Sequence, residues 1–470
     1  MSENFVYPVK KGHDYTVTIE SLAFGGKGVA RVDDYVLFVR RGLPGDVCRV
    51  RITKRKRSFG EARILSIEQP SPLRIQPPCA YFEWCGGCTW QNMSYSNQLL
   101  QKKTIVEQSF KRPDDLGDVP VLDTLACETP YGYRNKMEFS FADRKWLTPE
   151  DLDNPDISKA FALGLHVPGT FDKILHIEHC LLQSDTANTI LKFISRYVQD
   201  AGLPAYGIRS HEGLLRFLVL RQSRASGEIM VNLVTSRDAR KELTPLAREL
   251  RERFGEVSSV VNTVNSRKAQ IAQGEEEFLL AGKSVISDTI GPFRFDISAN
   301  SFFQTNTAQA EKLYNTALEF AALSGRETVW DLYCGTGTIT LFLARRAKKV
   351  YGFEIVESAI KDARNNAARY DIDNVQWFAG DVREHMTALE ERPDVLVTDP
   401  PRAGMHPDVV ETLLRIRPRR IVYVSCNPTT LARDLKILQQ AYTVVKARPV
   451  DMFPQTYHIE TVALLEVKPG

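Results

Sequence analysis

Two residues near the end of the chain have the types and positions for covalent chemistry. Cys426 lies in Ser425-Cys426-Asn427-Pro428, directly after an apolar run, Ile421-Val422-Tyr423-Val424, that reads as a buried strand. That order delivers a thiol to the carboxyl end of a strand, where open α/β sheets place their chemistry. Glu460, in His458-Ile459-Glu460, leads into another apolar run, Val462-Ala463-Leu464-Leu465. A thiol and a carboxylate on neighbouring strand ends can act as nucleophile and base. The plainer alternatives are a buried packing cysteine and a glutamate paired with an arginine. Cys334 is a rival nucleophile, but its place inside a glycine-rich turn favours packing.

A second cluster of reactive residues lies near the start. Cys79-x5-Cys85-Gly86-Gly87-Cys88 puts three thiols in one short loop, with Cys180 of His176-Ile177-Glu178-His179-Cys180 as candidate fourth ligand. Four thiolates bind either zinc or an iron–sulfur cluster, and His179 could instead complete a Cys₃His zinc site. Spacing alone leaves these open. Phe82, Trp84 and Trp90 interleave with the cysteines, where they can shield a metal site or stack on bases.

A third group of residues follows successive strand ends. Asp331-Leu332-Tyr333-Cys334-Gly335-Thr336-Gly337-Thr338 is a turn whose glycines permit close approach of a ligand. Neither the phosphate loop G-x-x-x-x-G-K-[ST] nor G-x-G-x-x-G is present, which disfavours triphosphates and NAD. The turn resembles the S-adenosylmethionine loop of class I methyltransferases. Glu354 ends the next strand, where a carboxylate can accept from ribose hydroxyls, and Asp381 ends the third. Each of these carboxylates, taken singly, could be a helix cap. Asp399-Pro400-Pro401-Arg402 follows the fourth, a loop stiffened by its prolines.

The elements that would hold these groups are legible in outline. From about residue 325 strands and helices alternate as a doubly wound sheet requires. Residues 1 to 70 carry short alternating runs punctuated by Gly25-Gly26 and Leu43-Pro44-Gly45-Asp46, an OB-like β-barrel by pattern. A proline-rich joint, Gln69 to Pro78, ends this module, and a helix is expected over about 95 to 110. Residues 71 to 290 read as a central α+β region, and 291 to 470 as a Rossmann-like α/β domain with which that helix can pack. Arg40 to Arg63 forms a basic stripe suited to a phosphate backbone or to a solvated loop. At 470 residues, 43% hydrophobic and 25% charged, with net charge +3, the chain has a multi-domain globular composition. Met1-Ser2-Glu3-Asn4 lacks the form of a signal peptide, and eight cysteines in so long a chain are no disulfide framework. A cytoplasmic protein is expected, with no membrane segment.

Several motifs together resemble the RNA (uracil-5)-methyltransferase family: Ser425-Cys426-Asn427-Pro428, Asp399-Pro400-Pro401-Arg402, Asp451 to Glu460 and Asn300-Ser301-Phe302-Phe303-Gln304-Thr305-Asn306. Gly25-Gly26-Lys27-Gly28 with Gly42-Leu43-Pro44-Gly45-Asp46 resembles the TRAM domain, an RNA-binding barrel. The resemblance implies a class I methyltransferase that makes 5-methyluridine, with Cys426 adding to carbon 6 of a flipped uracil and Glu460 removing the carbon 5 proton. It implies that Gln304, Tyr333, Glu354, Asp381 and Asp399 line the S-adenosylmethionine and uracil sites. Thr338 stands where relatives often have Asn.

The Trp84-Cys85-Gly86-Gly87-Cys88 stretch is similar to the [4Fe-4S] loop of the branch acting on 23S ribosomal RNA. The implied cluster ligands are Cys79, Cys85, Cys88 and Cys180. Transfer-RNA members generally lack both this loop and the TRAM module, so 23S ribosomal RNA is the expected substrate, bound by a monomer with no DNA or membrane partner. The alternatives are a transfer-RNA 5-methyluridine enzyme, a 5-methylcytosine enzyme, or a non-catalytic iron–sulfur RNA-binding or ribosome-assembly protein. The 5-methylcytosine enzymes typically carry Pro-Cys where this chain has Asp399-Pro400-Pro401.

Overall fold

A computed structural model describes residues 8–111 and 115–469. The reading of Met1-Ser2-Glu3-Asn4 lies outside these. The chain forms two compact units, each discontinuous in sequence: residues 1–77, 89–127 and 309–470 in one, residues 78–88 and 128–308 in the other. The sequence-based division at 70 and 290 drew three consecutive segments instead. No helix among the described residues is long and apolar enough to cross a membrane.

In the first unit, six strands from Asp14–Thr18 to Phe59–Gln69 form a small sheet. Its outermost strands, Asp14–Thr18 and Ser21–Leu22, are consecutive in the chain. Glu20 between them donates its N–H to Val29 O at 2.8 Å, so the sheet closes on itself as a barrel. Strand Val47–Arg55 shows why: Cys48, Val50 and Ile52 point inward, and Arg49 and Lys54 face solvent. Asp46 of the Gly45-Asp46 turn is fully buried; it accepts from Leu43 N at 2.7 Å and Ser71 N at 2.8 Å and pairs with Arg74.

The same unit holds a seven-stranded sheet. In chain order its strands are Thr328–Leu332, Lys349–Glu354, Val375–Ala379, Val395–Thr398, Arg420–Ser425, Tyr442–Val450 and Glu460–Val467. Their spatial order is 3-2-1-4-5-7-6. The first five run parallel and Glu460–Val467 is antiparallel to Arg420–Ser425. Tyr442–Val450 is antiparallel to Glu460–Val467 in turn, so six carboxyl ends and the amino end of the last strand share one edge. Helix Tyr95–Lys111 belongs to this unit, where Ile105, Val106 and Phe110 join Leu431 and Leu435 in one core. Each such side chain contributes about 2 kcal/mol by leaving water.

The second unit is built on another seven-stranded sheet, spatially Glu276–Gly282, Val257–Val264, Ile229–Thr235, Leu215–Gln222, Lys136–Arg144, Ala160–His166 and Ile174–His176. Helices Asp185–Asp200 and Arg240–Arg253 contribute to its core. The cysteine loop belongs here: Gly86 N donates to His166 O at 3.0 Å, and a Cβ on Gly86 would lie 2.6 Å from that oxygen.

Candidate active site

The thiol is placed by a strand-to-helix junction. Arg420–Ser425 ends, Cys426 follows, and Asn427 caps helix Pro428–Leu438 by accepting from Thr429 N at 3.1 Å. Asn427 at the cap and Pro428 at the first helical position are what that junction needs locally. Asn427 Nδ2 and Thr430 Oγ1 both donate to Arg402 O, at 3.1 and 3.2 Å, which ties the Asp399–Arg402 loop to the thiol's loop. Asp434 accepts from Met405 N at 2.8 Å and Tyr423 Oη at 2.7 Å, fixing the far end of the same loop.

Glu460 is brought in by the antiparallel ladder. Its last rung pairs Ser425 with Thr461, so the next step sets Cys426 against Glu460. The two residues and Asp399 are all half-buried. Burial, and then the charges of Glu460 and Asp399, push the Cys426 thiol up to about 11, with Arg402 opposing. Burial pushes Asp399 up to about 7. Burial and Asp399 hold Glu460 well above the usual carboxylate range, with Arg402 again opposing. These shifts place the three groups within electrostatic reach of one another.

Beside them is a cavity of about 440 Å³, walled by Tyr333, Glu354, Ile355, Asp381 and Pro401, a volume suited to a cofactor. Glu354 accepts from Gly335 N at 3.1 Å and Val356 N at 2.9 Å, which aims its carboxylate. Tyr333 holds φ at +62°, and burial pushes its phenol up to about 12. Gly337 holds φ at +80°, with Trp377 where a Cβ would stand. Asp381 caps helix Val382–Ala388 and is clasped by Arg383, which holds its carboxyl down at about 2. Cys334 is buried against Gly352, and burial raises its thiol far above the ordinary value, so it packs rather than reacts.

One residue does more than its motif position told. Asp331 is 1% exposed; its Oδ2 accepts from Thr340 Oγ1 at 2.6 Å, while Oδ1 has no partner among the described residues. Burial, with Asp399 and Glu354 nearby, pushes it up to about 7. An orphaned carboxylate oxygen among other carboxylates suits a ligand with positive charge, and S-adenosylmethionine carries a sulfonium and an ammonium. The acidic residue ahead of G-x-G was the available signal.

Gln304 lies in the second unit, where its carbonyl accepts from Asn135 Nδ2 at 2.9 Å. The four expected metal ligands lie in that unit too. Cys85 is buried, Cys79, Cys88 and Cys180 are half-buried, and none is in a disulfide. Cys79 raises the Cys180 thiol after burial does, and Cys88 and Cys79 both act on Tyr131. Among the described residues, however, no three His, Cys, Asp or Glu side chains converge as a metal-binding group. The described residues thus define neither an iron–sulfur nor a zinc ligand set.

The sheet order, the acidic strand ends and the cavity define a class I methyltransferase fold. A family model described as tRNA (Uracil-5-)-methyltransferase matches residues 208–468, and one described as TRAM domain matches residues 8–65. An RNA methyltransferase of Porphyromonas gingivalis, called uncharacterized, is 43% identical across 95% of this chain and 98% of its own. A similarly named protein of Chlorobaculum tepidum is 42% identical across 97% of each. The crystal structure of the Pyrococcus abyssi tRNA (uracil-54, C5)-methyltransferase with S-adenosyl-L-homocysteine superposes with TM-score 0.73. It is 28% identical and covers 96% of this chain and 99% of its own. The chain belongs to the S-adenosylmethionine-dependent RNA (uracil-5)-methyltransferase family, with an N-terminal TRAM domain.

Proposed function

We propose that the chain methylates carbon 5 of a specific uridine in 23S ribosomal RNA through a covalent bond between Cys426 and carbon 6 of the uracil. The observation that carries this is the antiparallel ladder whose last rung, Ser425 with Thr461, leaves Cys426 and Glu460 one residue beyond it at the same edge, with the charges of Glu460 and Asp399 both felt by the thiol. Carbon 5 of uracil is a poor nucleophile. The Cys426 thiol gives up its proton to solvent water and the thiolate adds to carbon 6, which moves the ring's π electrons onto carbon 5. S-adenosylmethionine, when bound, supplies an electrophilic methyl group. Tyr333, Glu354, Asp381 and Asp399 hold that cofactor and the ring, with Asp331 facing the positive charge. Glu460 then takes the carbon 5 proton; the freed electron pair re-forms the C5–C6 double bond, the C6–S bond breaks and Cys426 leaves as thiolate.

Two measurements test this. Cys426→Ala should abolish methyl transfer to unmodified ribosomal RNA, and RNA containing 5-fluorouridine should form a stable adduct with the intact protein. Normal methylation by the alanine variant would falsify the covalent route.

A transfer-RNA substrate is the second reading. It is favoured by the match to the Pyrococcus abyssi enzyme, whose 96% coverage leaves no room to omit the barrel. Possession of a TRAM module therefore does not separate the two substrates, contrary to the sequence-based expectation, and the 23S assignment rests on the Cys85-Gly86-Gly87-Cys88 loop. Parallel assays on unmodified 23S and transfer RNA, with 5-methyluridine mapped in a knockout, decide between them. We further propose, from the likeness of Trp84-Cys85-Gly86-Gly87-Cys88 to the iron–sulfur loop of the ribosomal-RNA branch and from the effect of Cys79 on the Cys180 thiol, that these thiols close on a [4Fe-4S] cluster. Protein purified without oxygen should then absorb broadly near roughly 400 nm, and a zinc site should not.

A further inference from the structure

The eight residues Asp451 to His458 connect strand Tyr442–Val450 to Ile459 and Glu460, so their path decides where the base sits. The segment from Thr89 to Lys102, more than 340 positions earlier, grips that connection at several points. Lys102 is fully buried, with Nζ 2.5 Å from Asp451 Oδ1 and 3.2 Å from Phe453 O; Asp451 is fully buried too. Gln98, equally buried, donates to Gln455 Oε1 at 2.9 Å and accepts from Gln455 N at 3.0 Å. Its amide is held in turn by Trp90 O and Met93 O, both at 3.0 Å.

Gln455 sits at φ +69°, a conformation that a non-glycine residue adopts only when its surroundings impose it. Its carbonyl accepts from Thr89 N at 2.9 Å and Trp90 N at 3.1 Å, and Tyr457 N donates to Thr89 Oγ1 at 3.0 Å. A lysine taken wholly out of water is costly unless its partner is fixed. An ordinary packing contact would use an apolar side chain here.

We infer that Gln98 and Lys102 are positioning residues for Glu460: they set the path of the Asp451–His458 connection and thereby the reach of the carboxylate to carbon 5. Neither touches substrate. The inference rests on the proposed covalent route, because only there does a displaced base leave a specific trace. Addition of Cys426 to carbon 6 and methylation of carbon 5 proceed without Glu460. Removal of the carbon 5 proton, re-formation of the C5–C6 double bond and cleavage of the C6–S bond require it.

The test uses the full-length protein and unmodified RNA with ordinary uridine. In Gln98→Leu and Lys102→Met, kcat should fall at least tenfold, KM for RNA should fall with it as the adduct accumulates, and affinity for S-adenosyl-L-homocysteine should be unchanged. A methylated protein–RNA adduct should accumulate on denaturing gels. If Lys102→Met alone does not fold, Lys102→Met/Asp451→Leu replaces both partners with apolar groups and should fold with the same trace. Turnover at the wild-type rate in the folded variants overturns the inference. So does a parallel loss of turnover and of adduct formation. If the wild-type protein forms no adduct with 5-fluorouridine RNA, the covalent route itself has failed, which is a different result.

Discussion

At the scale of single residues, the site is short of positive charge. Asp331 and Asp399 are each pushed up to about 7 and Glu460 is raised as well, with burial the first cause in all three. A carboxyl whose folded-state pKa exceeds its unfolded value binds more protons when folded, so stability falls as pH rises through the interval between the two. For Asp399 that interval runs from 3.8 to about 7. Asp399→Asn should therefore raise the melting temperature at pH 8 and leave it nearly unchanged at pH 4, where the wild-type carboxyl is protonated. The same substitution removes a charge that raises both Glu460 and Cys426, so the acidic limb of the residual rate profile should move to lower pH. Thermal melts across that range, paired with pH–rate profiles, check both signs; a lowered melting temperature at pH 8 would sink the account. Stability given up here is what a cationic cofactor would restore on binding.

At the scale of elements, the turn after strand Thr328–Leu332 is the most demanding piece of backbone. Gly337 combines φ +80° with a Trp377 ring carbon 2.6 Å from where a Cβ would lie. Gly337→Ala should lose about 1–2 kcal/mol for the left-handed backbone alone, and calorimetric titration should show S-adenosyl-L-homocysteine binding weakened about tenfold or more. Unchanged affinity would mean that the turn does not shape the cavity. Such elements were legible because their signals are local: glycines between a strand and a helix, Asn427-Pro428 as cap and first turn, carboxylates after apolar runs. In the central region Leu215–Gln222 and Ile229–Thr235 read as strand-like runs, but their place in a sheet did not, because both are buried almost throughout and carry no alternation that marks a face. Lys102 was illegible for another reason. It stands beside Lys103 in a helix of low amphipathic contrast, and its partner Asp451 is remote in sequence, so it reads as a solvated lysine. Asp331 was visible as a motif residue, but its orphaned oxygen is a property of packing alone.

At the scale of the whole molecule, a net charge of +3 understates how this chain can hold RNA. The barrel concentrates positive charge and then neutralises part of it: Arg49 and Arg51 pair with Asp14, and Lys27 and Lys54 with Glu61. Arg51, first by its hydrogen bond, holds the Asp14 carboxyl below its ordinary value. Paired arginines are partly committed, whereas Lys56, Arg57 and Arg63 are exposed and form no ion pair among the described residues. Those three cations, close together in the chain, are thus free to displace counterions from a phosphate backbone. Each phosphate neutralised on a single strand contributes about 0.7 to the slope of log affinity against log salt concentration. Replacing Lys56, Arg57 and Arg63 by alanine should therefore lower that slope by about 2 in a filter-binding series. Cofactor affinity and melting temperature should stay as they are, because exposed side chains add little to stability. Loss of affinity with an unchanged slope would point to a folding defect in the barrel, and no loss at all would place the RNA elsewhere. The contrast with Asp46 sharpens the assignment. Removing that buried carboxylate strands Arg74 and should cost about 3 kcal/mol, so Asp46→Ala should lower the melting temperature. The triple alanine variant should lower only the salt slope and the affinity.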